Sequence, residues 1–188
     1  MEEYKSKFDV ILDKEETIVE IFKPNKLKLF FSSMFWNTLL FIFVLIGSVL
    51  GILFPDEGEV IDLIWILLPV AIFLILEGGA VLFTYLYYKN VFYCYTNKRI
   101  IIRSGVFGID FKSLDMSTIG AIDVNVTLFD KILRKNTGSI RFGSMSSPIN
   151  GQGMNYTFAN ITNPYAIIKN SKNFIKIYWH NDLTMLLY

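Results

Sequence analysis

The chain has 188 residues, of which 53% are hydrophobic and 19% are charged, and its formal net charge at pH 7 is +1. Its single cysteine, Cys94, excludes an internal disulfide, and one cysteine with one histidine, His180, makes no recognisable metal site. The low net charge conceals an uneven distribution. Residues 90–173 hold ten Lys or Arg against four Asp, which gives that segment a net charge of +6.

The first 28 residues are highly charged. They contain seven acidic residues and six lysines, without the short apolar stretch that a signal peptide has. We therefore expect residues 1–28 to be a cytoplasmic N-terminal segment, and we allow for an extra strand within it.

Two long apolar runs follow at residues 29–53 and 63–87, and each has 25 residues. At about 1.5 Å of rise per residue, each run makes a helix of about 37 Å, which crosses a hydrocarbon core of about 30 Å with some tilt. The runs predict two transmembrane helices joined by a short external loop at residues 54–62.

The charges beside these runs predict their orientation. The loop at residues 54–62 has no Lys or Arg and holds four acidic residues, Asp56, Glu57, Glu59 and Asp62. The outer flanks are basic, with Lys23, Lys26 and Lys28 before the first run and Lys89, Lys98 and Arg99 after the second. Because Lys and Arg near span ends stay in the cytoplasm, we expect a multi-pass protein of the cell membrane with both termini cytoplasmic.

From residue 91 the sequence changes to short alternating segments that are typical of β-strands. We predict six strands, within residues 91–95, 99–104, 108–114, 118–127, 139–143 and 155–161. Residues 128–135 are predicted as a short helical turn, and residues 144–153 have the composition of a loop. Asn163-Pro164 predicts a C-terminal helix that runs to about residue 173, with Asn163 as its N-cap.

These elements predict a cytoplasmic domain at residues 90–173, followed by a tail at 174–188 to which we assign no structure. The predicted fold class is membrane α plus β. A two-helix transmembrane hairpin precedes a small antiparallel β-barrel or sandwich, which the C-terminal helix caps.

Several strings in this domain resemble the bacterial pleckstrin-homology (PH) domain family. They are Tyr95–Ile102 (YTNKRIII), Ser104–Phe107 (SGVF) and Ser113–Ile119 (SLDMSTI), with Thr137–Ile140, Asn163-Pro164 and the opening segment Glu15–Pro24 in matching places. The chain is most similar to the branch of YdbS-like membrane proteins, a former domain of unknown function in which two spans precede the domain. The resemblance covers residues 10–173 and implies a PH-like fold.

Two basic groups are candidates for contact with lipid headgroups or a partner. The first is Lys98, Arg99 and Arg103, close behind the second span, where anionic lipids attract each basic residue by about 1 kcal/mol. Eukaryotic PH domains that bind phosphoinositides use a similar basic hairpin. For this chain, lipid binding by the hairpin is implied by the resemblance alone. The alternative is that these charges only set the topology and solvate the hairpin.

The second basic group is Lys131, Arg134 and Lys135, which share one face of a helical turn. Phe129, Ile132 and Leu133 supply its apolar side, so this turn makes a small amphipathic element. Such an element either touches the membrane or lies over the domain core.

Glu77 is the one ionisable residue within the two apolar runs, near the middle of the second. A charge there costs at least about 2.5 kcal/mol, so this side chain should be protonated, paired or in a polar cavity. We favour a hydrogen bond to the first span, which offers Asn37, Thr38 and Ser48, or to a second copy. A transport role would need an oligomer.

We recognise no catalytic, cofactor-binding or metal-ligating constellation. Gly151-Gln152-Gly153 lacks the sequence that follows a phosphate loop, and Ser144, Ser146 and Ser147 lack a nucleophile elbow. We therefore expect that the protein is not an enzyme and that it binds no cofactor. We also expect no nucleic-acid binding, because membrane topology already explains the basic residues.

The sequence favours a non-enzymatic membrane protein whose domain is a membrane-tethered interaction or scaffold module for a protein partner or a second copy. The alternative is a sensor or binder of anionic lipid headgroups that uses the basic hairpin. A third reading is a subunit of a membrane transport or stress-resistance complex.

Overall fold

Two long helices stand between the first and second strands of an otherwise β-rich chain. The computed structural model describes residues 2–54, 64–132, 136–144 and 156–170. Its elements are α1 (Glu2–Lys5), β1 (Ile18–Phe22), α2 (Lys26–Leu53), α3 (Ile64–Asn90), β2 (Phe92–Thr96), β3 (Arg99–Ser104), β4 (Asp110–Asp115), β5 (Ile119–Asn125), α4 (Leu128–Ile132), β6 (Thr137–Ser144) and β7 (Tyr156–Thr162). Residues 164–170 form a further helix, α5.

The chain divides into two compact units. One, the helix pair, is Leu29–Lys89; the other, the β-domain, joins Met1–Lys28 to Asn90–Tyr188. The β-domain is therefore built from chain on both sides of the helix pair. The N-terminal segment contributes a strand and much of the packing, in addition to the segment 90–173 that the sequence assigned to the domain.

Both long helices have the length and composition to cross a membrane. With 28 and 27 residues they span about 42 and 40 Å. Asn25 caps the first of them, because its Oδ1 accepts a hydrogen bond from the Lys28 N–H at 3.2 Å. The expected external loop at 54–62 lies, apart from its first residue, outside the described part of the chain.

The strands form two separate antiparallel sheets. Sheet A has the order β1-β2-β3-β4, and sheet B has the order β5-β6-β7. All six strands predicted after the second span are confirmed to within about three residues, and β1 adds a seventh. Because the sheets are separate, the closed-barrel alternative is wrong and the sandwich alternative describes the arrangement.

Aromatic rings join the two sheets. The ring of Tyr93 on β2 stacks on Phe158 of β7, with centroids 5.0 Å apart, and Phe142 of β6 meets Phe158 edge-on at 4.9 Å. All five residues of β2 are buried. Successive side chains of a strand point to opposite faces, so β2 is covered on both of its faces.

The N-terminal segment covers the other face of sheet A. Phe8 is fully buried in a cluster with Phe92, Cys94 and Ile101. Alternate strand residues therefore contact sheet B and the N-terminal segment respectively. The resulting order is N-terminal segment, sheet A, sheet B.

The helix α5 begins at Pro164, as predicted, and buries Ile167. Asn163 precedes it with a left-handed φ of 53°, which asparagine tolerates. Its carbonyl accepts hydrogen bonds from Ala166 and Ile167, and its Oδ1 accepts one from Asn136 at 2.8 Å. The predicted end of this helix near residue 173 and the tail at 174–188 lie outside the described residues.

Replacing Phe8 by Ala should destabilise the β-domain and expose Cys94. Removing a buried phenylalanine costs about 3–5 kcal/mol. Burial, with the nearby Glu16 charge, raises the pKa of the Cys94 thiol to about 12, so the native thiol should react slowly. We expect much faster alkylation of this cysteine in the variant of the full-length protein in detergent. Val10→Ala, at a position that is 86% exposed in the same segment, is the control, and equal alkylation rates in the two variants would contradict the packing.

Candidate functional site

Arg99, a predicted contact residue, is bound within the β-domain. Its Nε and Nη2 donate to the two carboxylate oxygens of Glu16 at 3.0 and 2.8 Å, and Nη2 also donates to the Ile11 carbonyl at 2.7 Å. The Thr96 hydroxyl donates to the same carboxylate at 2.6 Å. Arg99 therefore ties the β2–β3 hairpin to the N-terminal segment.

Both members of this ion pair are charged at neutral pH. Burial by itself would raise the pKa of the Glu16 carboxyl, but the hydrogen bonds from Arg99 and Thr96 outweigh it and leave the pKa below its ordinary value. The hydrogen bond to Glu16 raises the pKa of the Arg99 guanidinium, against the opposing effect of burial.

The turn that carries Lys98 lies at the far end of β2 from the helix pair. Asn97 in this turn exchanges hydrogen bonds with Thr17, at 2.9 and 3.1 Å. At about 3.3 Å per strand residue, the turn is roughly 20 Å along the strand from Asn90, the last residue of α3. Lys98 is half-buried there.

Arg103 lies at the opposite end of the hairpin, beside Asn90. Its Nη1 donates to the Asn90 carbonyl at 2.8 Å, and the residue is only 7% exposed. Burial lowers the pKa of this guanidinium, and its Nε has no hydrogen-bond partner among the described residues. The structure thus separates the first basic group, because Arg103 is at one end of β3 and Arg99 at the other.

Arg103 has two basic neighbours, Lys7 and Lys23, that the sequence does not predict as contact residues. The Nζ atoms of Lys7 and Lys23 lie 4.3 and 4.6 Å from the centroid of the Phe92 ring, and the Arg103 Cζ lies 5.7 Å from it. Three cations therefore surround one buried ring at the end of β2 that follows α3.

The second basic group falls on α4, where Lys131 is exposed; Arg134 and Lys135 lie outside the described residues. Asp130 on the same helix turns inward and pairs with Lys28, with side-chain exposures of 1% and 4%. It also accepts hydrogen bonds from the Thr137 and Thr127 hydroxyls. This helix was expected to place Ile132 on its apolar side, and that residue is 64% exposed.

Asp130 keeps its charge despite its burial. Burial by itself would raise the pKa of this carboxyl, but hydrogen bonds from Lys28, Thr137 and Thr127 lower it below the ordinary value. The Thr127 N–H donates to Asp130 at 2.7 Å, as in a capping box. The spacing Thr-x-x-Asp is the sequence signal that would have identified this residue.

Glu77 lies inside the helix pair. The Thr38 hydroxyl, one of its expected partners, donates to Glu77 Oε1 at 3.5 Å, while Oε2 has no partner among the described residues. A second polar contact joins the helices where the Thr84 hydroxyl donates to Ser33 at 2.9 Å. These bonds and the stacked rings of Phe41 and Phe73, whose centroids are 4.0 Å apart, hold α2 against α3.

Sheet B carries an exposed edge with a groove beside it. Within the described residues β5 is an edge strand, and Ala121 and Asp123 on it are exposed. A surface groove of about 670 Å³ adjoins the end of this strand and is lined by residues that include Asn125, Lys131 and Tyr165. The sequence does not predict this groove, because Tyr165 of α5 lines it together with side chains from residues 124–137.

Replacing Asp130 by Ala should destabilise the β-domain strongly, since it leaves Lys28 buried without its charge partner. The expected cost is about 3–5 kcal/mol of unfolding free energy. Asp123→Ala is the control, because Asp123 and Arg141 form an exposed pair at 3.8 Å that contributes at most about 1 kcal/mol. Thermal unfolding of both variants in detergent measures the difference, and similar midpoints would show that the buried pair is unimportant.

A solved structure of a DUF1696 family protein with a pleckstrin-homology domain, from Shewanella loihica PV-4, aligns with 93% of this chain and 95% of its own at 10% identity and a TM-score of 0.43. No curated protein matches the chain. Among the described residues, no group of three or more His, Cys, Asp or Glu is placed to hold a metal ion. A model of the bacterial PH domain family matches residues 39–174, well over half of the sequence, and the chain therefore belongs to the bacterial PH domain family.

Proposed function

We propose that this protein is a non-enzymatic, two-span membrane protein that presents its PH-like domain in the cytoplasm as a tethered protein-binding module. Within its family we place it in the YdbS-like branch, in which two apolar helices precede the domain. The proposal has two parts, the membrane topology and the binding surface.

One observation carries the topology. Phe22, at the end of β1, and Tyr93, near the start of β2, are paired across neighbouring strands. The chain therefore leaves the β-domain and returns to it at adjacent positions, with three residues between Phe22 and α2 and two residues between α3 and Tyr93. If the helices cross a bilayer, the start of α2 and the end of α3 lie on the same side of it. This requires an even number of crossings.

The charge distribution supports a cytoplasmic domain. The short segment between the helices is acidic, whereas basic residues such as Lys26 and Lys89 stand at the outer helix ends. Basic residues near span ends stay in the cytoplasm. The β-domain, which is continuous with those ends, is then cytoplasmic.

The edge of sheet B supports protein binding. An extended peptide adds to an exposed edge strand through main-chain hydrogen bonds, and adjacent pockets select its side chains. β5 offers such an edge, and the groove beside it has Tyr165, 63% exposed, on its rim. Two spans keep this surface at the membrane and raise the local concentration of a membrane-bound partner.

Binding of anionic headgroups through the β2–β3 turn has less support. The Arg99 guanidinium is paired with Glu16 within the domain. The turn therefore offers a headgroup Lys98 without Arg99 as a second basic contact. A single exposed cation adds only about 1 kcal/mol at an anionic membrane surface.

The topology predicts opposite labelling of two introduced cysteines in intact cells. Glu57→Cys should react with a membrane-impermeant maleimide from outside, whereas Ser117→Cys, exposed on the β-domain, should react only after permeabilisation. The wild-type protein is the blank, because its single thiol is the buried Cys94. Labelling of both positions from the same side would contradict two spans.

The binding surface predicts position-dependent crosslinking in native membranes. A photo-crosslinking amino acid at Ala121 or Tyr165 should yield a discrete adduct, and its mass distinguishes a second copy from another protein. The same amino acid at Ser117, which is also exposed but away from the groove, should yield none. Identical adducts from all three positions, or none from the groove, would argue against this surface.

A further inference from the structure

Two groups of exposed apolar side chains remain on the β-domain. One is the turn between β3 and β4, where Phe107 is 94% exposed and Ile109 is 51% exposed. The other is α4, where Leu128 and Ile132 are 74% and 64% exposed. Single exposed apolar residues are ordinary, but two pairs at defined places in the fold call for a partner surface.

The β3–β4 turn is fastened to the end of α3. The Asn90 side chain donates to the Gly105 carbonyl at 3.2 Å, and Arg103, at the end of β3, donates to the Asn90 carbonyl at 2.8 Å. Gly105 has a φ of 139°, and a Cβ at this position would lie 1.8 Å from the Gly108 carbonyl oxygen. The turn is therefore held in one shape beside the residue at which α3 ends.

The helix α4 is fastened to the start of α2. Its Asp130 forms the buried ion pair with Lys28, the third residue of α2. Leu128 and Ile132 are four residues apart and so share one face of this short helix. Asp130 points inward, and the exposed side of α4 carries Leu128 and Ile132 together with Lys131.

Both groups thus lie close to residues of the β-domain, Asn90 and Lys28, at which the chain continues into the long helices. The start of α2 and the end of α3 join the domain at neighbouring strands, because Phe22 pairs with Tyr93. Lys7, Lys23 and Arg103 gather around Phe92 at the same end of sheet A. Apolar side chains beside clustered cations are the composition of a surface that lies in the headgroup region of an anionic leaflet.

We propose that the β3–β4 turn, through Phe107 and Ile109, and the outer face of α4, through Leu128 and Ile132, insert into the cytoplasmic leaflet that the long helices cross. This inference rests on the proposed membrane insertion. The domain would then contact the bilayer at two points.

Depth-dependent fluorescence quenching tests this contact in the full-length protein. Single cysteines at Phe107, Leu128 and Ser117 are labelled with an environment-sensitive fluorophore, and the protein is reconstituted in vesicles of neutral and anionic phospholipid. The wild-type protein is the labelling blank. Ser117 is exposed near the other end of sheet A, since it follows Asp115, the strand partner of Arg99.

The labels at Phe107 and Leu128 should emit at shorter wavelength and be quenched by lipids with a nitroxide near the headgroup. The label at Ser117 should do neither. Quenching that equals the Ser117 control at either apolar position would overturn the proposal, and so would shielding of both labels without lipid quenching, which would indicate a protein partner. Introducing negative charge by Phe107→Glu with Leu128→Glu should abolish the lipid quenching of a label at Ile109.

A fourth label separates this inference from the topology on which it rests. Val44→Cys, within α2 and 41% exposed, should be quenched by a nitroxide deep in the acyl chains. If Val44 is quenched while Phe107 and Leu128 are not, the helices are inserted and the leaflet contact is wrong. If Val44 is not quenched, the membrane insertion itself fails.

Discussion

The pairing of β1 with β2 is the constraint on which the rest of the structure depends. These neighbouring strands are separated in the chain by both long helices, yet Ile21 and Cys94 are partners across the sheet. The pairing closes sheet A around an insertion and brings the two helix ends together. It also places the N-terminal segment over the sheet, where Phe8 fills the space above Cys94.

Charged side chains secure this closure from within the domain. Glu16 with Arg99 and Lys28 with Asp130 each join one of the first 28 residues to a residue that follows α3. Removing charges from water is costly, so such pairs add little net stability compared with apolar packing. Any other pairing of the strands would bury one of these charges without its partner, and this is unfavourable. The ion pairs therefore help to specify how the N-terminal segment packs on the part of the domain that follows α3.

The strands and long helices were predictable because each depends on a local pattern. Alternation marks the strands, and the uninterrupted apolar runs mark α2 and α3. The roles of the basic residues were not predictable in this way. Arg99 has the local sequence of an exposed hairpin turn, and only a carboxylate 83 positions earlier makes it part of the interior.

The orientation of α4 could not be predicted from the sequence either. A five-residue helix has too few positions for periodicity to identify its buried face. Its buried side is polar because Lys28 and two threonines surround Asp130. The groove beside β5 likewise needs side chains from a strand, a short helix and α5. The family match begins at residue 39, within α2, so the strand and the phenylalanine that complete sheet A lie outside it.

The position of the insertion has a consequence for synthesis on the ribosome. β1 emerges first but cannot find its partner until both long helices have been made, because β2 comes after them. During that interval Phe8 and the apolar side of β1 have no sheet to cover. Sheet A is therefore completed only after both long helices have been synthesised, and until then the N-terminal segment exposes apolar side chains that the finished domain buries.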